Sequence, residues 1–436
     1  LFQFKRCMVH FAVDDARIKF CTKLAGQDSW FLPFDKGYND GAGNPPNSNG
    51  IMTDYLWKDI LTKEKLTLII ENYAQVVVEV DEDTKKKKEK QIFPRYHQLD
   101  VVTKLLADVK TNGVGKKYLI QHSAGSGKSN SIAWLAHQLI GLEQDGRPML
   151  DSVIVVTDRR ILDKQIRDTI KQFMQVGSTV AWAEHSSDLT KAIVGGKRII
   201  VTTIEKFPYS APQIIAENMN RRFAIIIDEA HSGQNGKNSS QMNTALSGIE
   251  FTDNMDDEDR INAMVEGRKL LNNASYFAFT ATPKNKTLET FGVPYQDGDD
   301  IKHRPFHVYT MKQAIQEGFI LDVLQYYTPI DSFYKLMKTV EDDPMFDKKR
   351  AQKKLRSFVE SGSYTIAKKA AMMVDHFHEQ VIAKGKIGGQ ARAMVVTSSI
   401  PRCIEYYYAI NKCLADRHSP YKTIIAFSGE NKYQGQ

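Results

Sequence analysis

Two short stretches carry the residue types that could bind and break a phosphate chain. The first is His122-Ser-Ala-Gly-Ser-Gly-Lys-Ser129, which follows the apolar run Tyr118–Gln121. Gly125 and Gly127 have no side chains, so backbone there can close around an anion. The loop N–H groups and the next helix's N-terminus would then face phosphate oxygens. Lys128 would add a mobile cation at the β- and γ-phosphates, and the Ser129 hydroxyl could ligate Mg²⁺. The usual pattern opens on glycine, whereas this chain has His122 there. The second stretch is Phe223-Ala-Ile-Ile-Ile-Asp-Glu-Ala-His231. Its apolar run would deliver Asp228 and Glu229 to the end of a buried strand. Asp228 would hold Mg²⁺ through its water shell opposite Ser129, and Glu229 would orient and polarise the attacking water. An acidic pair that only caps a helix is the plainer alternative. It fits poorly with a phosphate loop upstream, in the order one Mg²⁺–nucleotide site requires.

The elements that position these residues follow from hydrophobic patterning. From residue 92, short apolar runs alternate with helix-length segments: Tyr118–Gln121, Ser152–Thr157, Arg198–Thr203, Phe223–Ile227 and Tyr276–Phe279. Continuous β-branched runs between helices predict a parallel sheet covered on both faces, with ligands at the carboxyl ends of its strands. Before it, Met8–Val13 reads as a strand, Gly37–Gly50 as an irregular connector rich in Gly, Asn and Pro, and 53–72 as helical. The charge run 81–90 reads as a solvated linker, with contact to a DNA backbone as the rival, and a domain boundary is placed there. Residues 253–259 read as an exposed acidic loop. After about residue 305 a second unit is expected, with helices over 310–318 and 335–382 and buried strands at Ala393–Thr397 and Thr423–Phe427. Its basic segment 345–356 is either a solvated helix face or a duplex contact.

Size and composition set the outer bounds. The 436 residues suffice for two or three domains, and 42% hydrophobic with 25% charged residues is ordinary for a globular protein. A net charge of +7 is compatible with a nucleic-acid partner without arguing for one. No apolar run reaches membrane-spanning length, and Leu1–Val13 lacks the layout of a signal peptide. Cys7, Cys21, Cys403 and Cys413 are widely spaced and read as reduced thiols of a cytoplasmic protein. Because the first residue is Leu1, the chain is read as a fragment.

Asp228-Glu-Ala-His231 resembles the signature of superfamily 2 helicases and translocases. That resemblance implies roles for further residues. Gln98, within Arg95-Tyr-His-Gln98, would read the adenine edge, unless it is an ordinary helix-surface glutamine. Arg159, Thr202 and Thr203 would grip a nucleic-acid backbone; capping by Asp158 or Thr203 is the alternative. His231, with Thr280 and Thr282 of Phe279-Thr-Ala-Thr-Pro283, would couple the ATP site to domain movement. Ser123, Ala124, Gly125, Ser126, Gly127, Lys128 and Ser129 would form the nucleotide loop.

A narrower resemblance runs over nearly the whole chain. Phe93-Pro-Arg-Tyr-His-Gln-Leu99, Leu119–His137, Val153–Arg160, Arg222–Ser232, Phe277–Lys284 and Glu317–Val323 are similar to the R subunit of type I restriction–modification enzymes. So are Phe31–Gly37 and Gly41–Asn47, and His122 at the loop's first position belongs to the likeness. The resemblance implies an α/β fold: a RecA-like P-loop NTPase sheet over 91–304, a second, incomplete RecA-like domain over 305–436, and an α+β connector over 1–90 that follows a nuclease domain. It implies ATP and Mg²⁺ as cofactors and double-stranded DNA as substrate, pumped past the complex without strand separation before remote cleavage. It implies methyltransferase and specificity subunits as partners. No convincing Asp…Glu-x-Lys nuclease constellation precedes residue 90, and the second domain's arginine that reaches the γ-phosphate is expected beyond Gln436. An autonomous superfamily 2 helicase in repair or remodelling is the alternative function, and a non-catalytic scaffold is the remaining one.

Overall fold

The computed structural model describes residues 4–80, 86–157, 170, 180–183, 185–203, 220–228, 273–322, 363–385 and 391–427. Two compact units divide the chain, 1–323 and 324–436.

The first unit opens with an antiparallel sheet of β1 (His10–Val13), β2 (Ile18–Cys21) and β3 (Leu32–Pro33). Strand β1 falls within the stretch expected from sequence. The connector 37–50 has only an isolated bridge between Tyr38 and Gly41. Helix α1 (Lys63–Asn72) follows, its N-terminus capped by Thr62, which accepts from the Lys65 amide. Then β4 (Gln75–Val80) pairs antiparallel with β5 (Lys87–Ile92). The second half of the charge run is therefore a strand and not a linker. Cross-strand pairing to the valines of β4 holds it, and Lys5 pairs with Glu89 at 2.6 Å.

The main sheet has seven strands, all parallel, in the order β10-β11-β9-β12-β13-β6-β16. They are β6 (Lys117–His122), β9 (Ser152–Thr157), β10 (Val180–Trp182), β11 (Ile199–Thr203), β12 (Phe223–Asp228), β13 (Ala274–Thr280) and β16 (His307–Tyr309). The numbering leaves room for two antiparallel hairpins outside the sheet, β7 (Glu143–Gln144) with β8 (Arg147–Pro148) and β14 (Val293–Asp297) with β15 (Asp300–Arg304). Every residue of β9, β11, β12 and β13 is buried, as continuous apolar runs of a doubly covered sheet demand. Alternate residues feed two cores. Ile226, Val155 and Phe279 face one, with α2 (Tyr96–Asn112) and α3 (Lys128–Ile140); Ile225, Ile227, Ile154 and Ala278 face the other. Helix α3 is apolar around most of its circumference because it is buried, Trp134, Leu135 and Leu139 fully so. Residues 307–309, assigned from sequence to the second domain, form the edge strand beside β6.

In the second unit, the helix Ser363–His376 runs on through Phe377–Ile382 and packs against the helix Ile400–Asp416. Arg417 pairs with Asp375 at 2.6 Å. The runs at 393–397 and 423–427, expected as buried strands, form no ladder among the described residues. Met394, Val396 and Ile424 are largely exposed, and no neighbouring strand among those residues offers them a partner. The segment 345–356 and the loop 253–259 lie outside the described residues.

Candidate nucleotide site

Sheet geometry brings the two chemical stretches to one edge. The loop 123–127 leaves the carboxyl end of β6, and Asp228 ends β12. One strand, β13, separates them, so the two backbones stand roughly 10 Å apart. Through the ladders Asp228 pairs with Phe279 and Phe279 with Ile120, which sets Asp228 level with the end of β6. Asp228 is buried. Thr280, also buried, ends β13 between them, while Thr282 lies two residues beyond and is exposed.

The loop is a cradle that side chains would fill. Gly125 and Gly127 have φ of 73° and 75°, a region that disfavours any residue with a Cβ. A Cβ on Gly127 would stand 2.5 Å from Gln98 Nε2, and one on Gly125 would stand 3.1 Å from Phe319 Cβ. Ser123 and Ser126 are buried and Ala124 and Gly125 exposed, and Ser126 Oγ has no hydrogen-bond partner among the described residues. Lys128 Nζ lies 3.4 Å from the His122 carbonyl, on the loop, and Ser129 occupies the first turn of α3. Mobile cation, hydroxyl, positive-φ glycines and a facing carboxylate suit a Mg²⁺–phosphate group, so the residues present fit the cofactors expected from sequence.

Behind the loop, the start of α2 holds consecutive carbonyls. Arg95 Nη2 donates to the Gly125 carbonyl at 2.8 Å, His97 Nε2 to that of Ser126 at 2.9 Å, and Gln98 Nε2 to that of Gly127 at 3.0 Å. Gln98 Oε1 also accepts from the Arg95 amide, capping α2. A trans peptide points its N–H opposite to its C=O. Holding these carbonyls from behind therefore turns the amides of Ser126, Gly127 and Lys128 the other way. Gln98 is not an ordinary surface residue: it is 3% exposed, and reading adenine would require its amide to leave the loop. The Arg95 guanidinium stacks 4.0 Å from the Phe319 ring. Burial pulls the Arg95 pKa down, opposed by Tyr309 and Glu317.

A second array lies beside β6. His122 Nε2 is 2.8 Å from His307 Nδ1, and His307 Nε2 is 3.0 Å from Asp100 Oδ2. His97 stacks on Tyr309 at 3.9 Å and meets His122 edge-on at 5.5 Å. Burial first, then neighbouring positive groups, keeps His97 and His122 well below the ordinary imidazole value. Burial would raise Asp100, but hydrogen bonds from His307 and Lys104 outweigh it and its pKa is lowered.

Thr202 and Thr203 end β11 two strands beyond β12 and are buried, with hydroxyls that have no partner among the described residues. Arg159, Glu229 and His231 lie outside the described residues. Sequence reasoning did not single out Arg95, His97, His307 or Phe319. The first two sat inside a quoted motif, whereas His307 had no local signal.

The SWI2/SNF2 ATPase family model matches residues 97–355, more than half of the 436. The chain belongs to the SWI2/SNF2 ATPase family. Its curated relatives include the type I restriction enzyme SsaAORF53P endonuclease subunit of Staphylococcus saprophyticus, 26% identical over 351 residues, covering 78% of this chain and 32% of the relative. A protein assigned as the MjaIXP endonuclease subunit of Methanocaldococcus jannaschii is 25% identical over 394 residues, covering 85% and 32%. This SWI2/SNF2 ATPase chain thus spans about a third of the length of these relatives. Among solved structures, a fragment assigned as an HsdR subunit of a type I restriction enzyme from Vibrio vulnificus covers 89% of this chain and 66% of its own, at 13% identity and TM-score 0.41. Among the described residues no helix is long and apolar enough to cross a membrane, and the cysteines Cys7, Cys21, Cys403 and Cys413 are free thiols.

Proposed function

We propose that this chain is the ATP-driven motor of a type I restriction endonuclease R subunit, moving double-stranded DNA past a cytoplasmic complex with methyltransferase and specificity subunits. The observation that carries the reading is the pairing of a positive-φ phosphate loop with Asp228 along one sheet edge, in an ATPase-family chain whose curated relatives are restriction endonuclease subunits. Bound Mg²⁺ would neutralise phosphate charge and fix the geometry of the transferred group. Ser129 and Asp228 would hold it, and residues 123–128 would bind the phosphates through backbone N–H groups and the Lys128 ammonium. Glu229 would orient water for in-line attack, and Gln98 would brace the loop from the start of α2, meeting the base only by releasing the Gly127 carbonyl. Thr280, Thr282 and His231 would transmit the state of that site along the edge. Arg159, Thr202 and Thr203 would hold a DNA phosphate backbone, which needs donors and no base reading. We assign 1–90 to a connector, 91–323 to the first ATPase domain, whose sheet takes in β16, and 324–436 to an incomplete second one.

The test combines ATP hydrolysis and triplex displacement by the parent polypeptide with its methyltransferase and specificity subunits. Hydrolysis and displacement on unmethylated duplex only, without strand separation, are the expected result. Hydrolysis on any DNA without partners, together with unwinding, would replace this reading with an autonomous helicase.

A further inference from the structure

We propose that Asp100, His307 and His122 are positioning residues for nucleotide binding: a line of hydrogen bonds, running inward from half-buried Asp100 to buried His122, that fixes the start of the phosphate loop. The proposal rests on the reading of residues 123–129 as a nucleotide loop.

His122 is the last residue of β6 and is fully buried. Everything downstream in the loop hangs from it. Its carbonyl receives Lys128 Nζ, and the next amide, Ser123, donates to the Tyr309 carbonyl at 3.0 Å. Its side chain reaches sideways to His307 on the edge strand, and His307 reaches Asp100 on α2. Three separate elements thus meet at one point beneath the loop. Packing alone would be met by apolar residues, which need no partners in a dry interior. Here imidazoles and a carboxylate are aligned instead, each placed to satisfy the next.

Proton positions follow from the acceptors. A carboxylate can only accept, so His307 carries its hydrogen on Nε2. Neutral His307 then offers a lone pair at Nδ1, and His122 donates to it from Nε2. The His122 Nδ1 is left as an acceptor, buried and without a partner among the described residues. Removing His307 would leave the His122 Nε2–H without this acceptor and release the anchor of the loop.

Other charged and titratable groups face the line. From α2 these are His97 and Lys104, with Arg95 at its entry; from the loop, Lys128; from β16, Tyr309, whose hydroxyl donates to Glu317 at 2.6 Å. Lys104 is paired with Asp100 at 2.6 Å. His97 donates Nε2–H to the Ser126 carbonyl, which fixes its tautomer. Arg95 and Lys128 add positive charge near His122, which opposes a further proton there. Asp100 is the anion that touches His307 and so fixes its tautomer.

The experiment uses the full chain at neutral pH, with a fluorescent ADP derivative and Mg²⁺ as the probe. Nitrogen-15 histidine spectra read the tautomers in the same samples. The wild type should bind the probe with His307 and His122 both protonated at Nε2. His307→Gln should weaken binding about three- to tenfold, the loss of one hydrogen bond, with the thermal transition retained. Asp100→Asn keeps an acceptor for His307 and should keep most of the affinity. Equal affinity in wild type and His307→Gln would overturn the proposal, as would His122 protonated at Nδ1. Absence of ADP binding, with the expected tautomers, would overturn the nucleotide reading and leave the hydrogen-bond line without a ligand to serve.

Discussion

Around β6 the loop's carbonyls are held by Arg95, His97 and Gln98, and its first residue is tied to His307 and Asp100. Around β11 the hydroxyls of Thr202 and Thr203 find no partner among the described residues. The two places share one sheet and one edge, yet one is braced from behind and the other has hydroxyls with no partner among the described residues. A site that must present several amides to a compact charged group gains from being set before the ligand arrives. A surface that must slip along a repeating phosphate backbone needs donors held for an outside acceptor. On the proposed reading, the braced loop would be the nucleotide site of a motor and the end of β11 its tracking edge.

Substitutions can break this contrast at either end. The largest effect is expected from Lys128→Ala, which removes the mobile cation; ATP hydrolysis should fall by about a hundredfold or more. Undiminished turnover in a hydrolysis assay would remove the loop from the chemistry. Asp228→Ala should abolish Mg²⁺-dependent turnover while the thermal transition persists, and normal hydrolysis would exclude Asp228 from the metal site. Gly127→Ala places a Cβ 2.5 Å from Gln98 Nε2 at a φ of 75°, so melting should reveal about 1–2 kcal/mol of destabilisation with loss of nucleotide binding.

The braced end also predicts an acid sensitivity. His97 and His122 are neutral when folded, their pKa values held by burial well below 6.5. Unfolding restores the ordinary value, so the unfolded chain binds more protons below about pH 6.5. Stability should be full above that pH and fall by about 1.4 kcal/mol per pH unit per histidine beneath it. Denaturant melts across pH check this, and a flat profile would show that these imidazoles are not buried in solution. The smallest effect belongs to Thr203→Val. Folding stability should hold or rise slightly, because the hydroxyl removed has no partner among the described residues. DNA affinity should weaken about three- to tenfold, and unchanged affinity would detach Thr203 from the tracking edge.

The phosphate loop and Asp228 could be read from sequence because each is local. A turn needing positive φ asks for glycine within a few residues, and a buried strand announces its own end. The five core strands were legible for the same reason, as apolar runs flanked by helices. What escaped depends on distant partners. His307 gains its meaning only from residues 185 and 207 positions away, which no spacing rule reports. Lys87–Lys90 look like a solvated linker until the valines of β4 are set opposite them. The runs at 393–397 and 423–427 have strand composition, but composition supplies no neighbour to pair with. Gln98, expected from sequence to read a base, instead faces the loop's carbonyls with its amide, because the glycine that shapes the cradle also lets that side chain approach.

Strand β16 has a consequence for how the protein comes into being. It seats His307 beside β6 by joining chain segments nearly two hundred positions apart. Closing so long a loop carries an entropy that earlier contacts must first offset, so this edge forms late. During synthesis the phosphate loop emerges long before the strand that anchors it. If the loop is a nucleotide site, the nascent chain would be unable to set it until almost all of the first unit has left the ribosome.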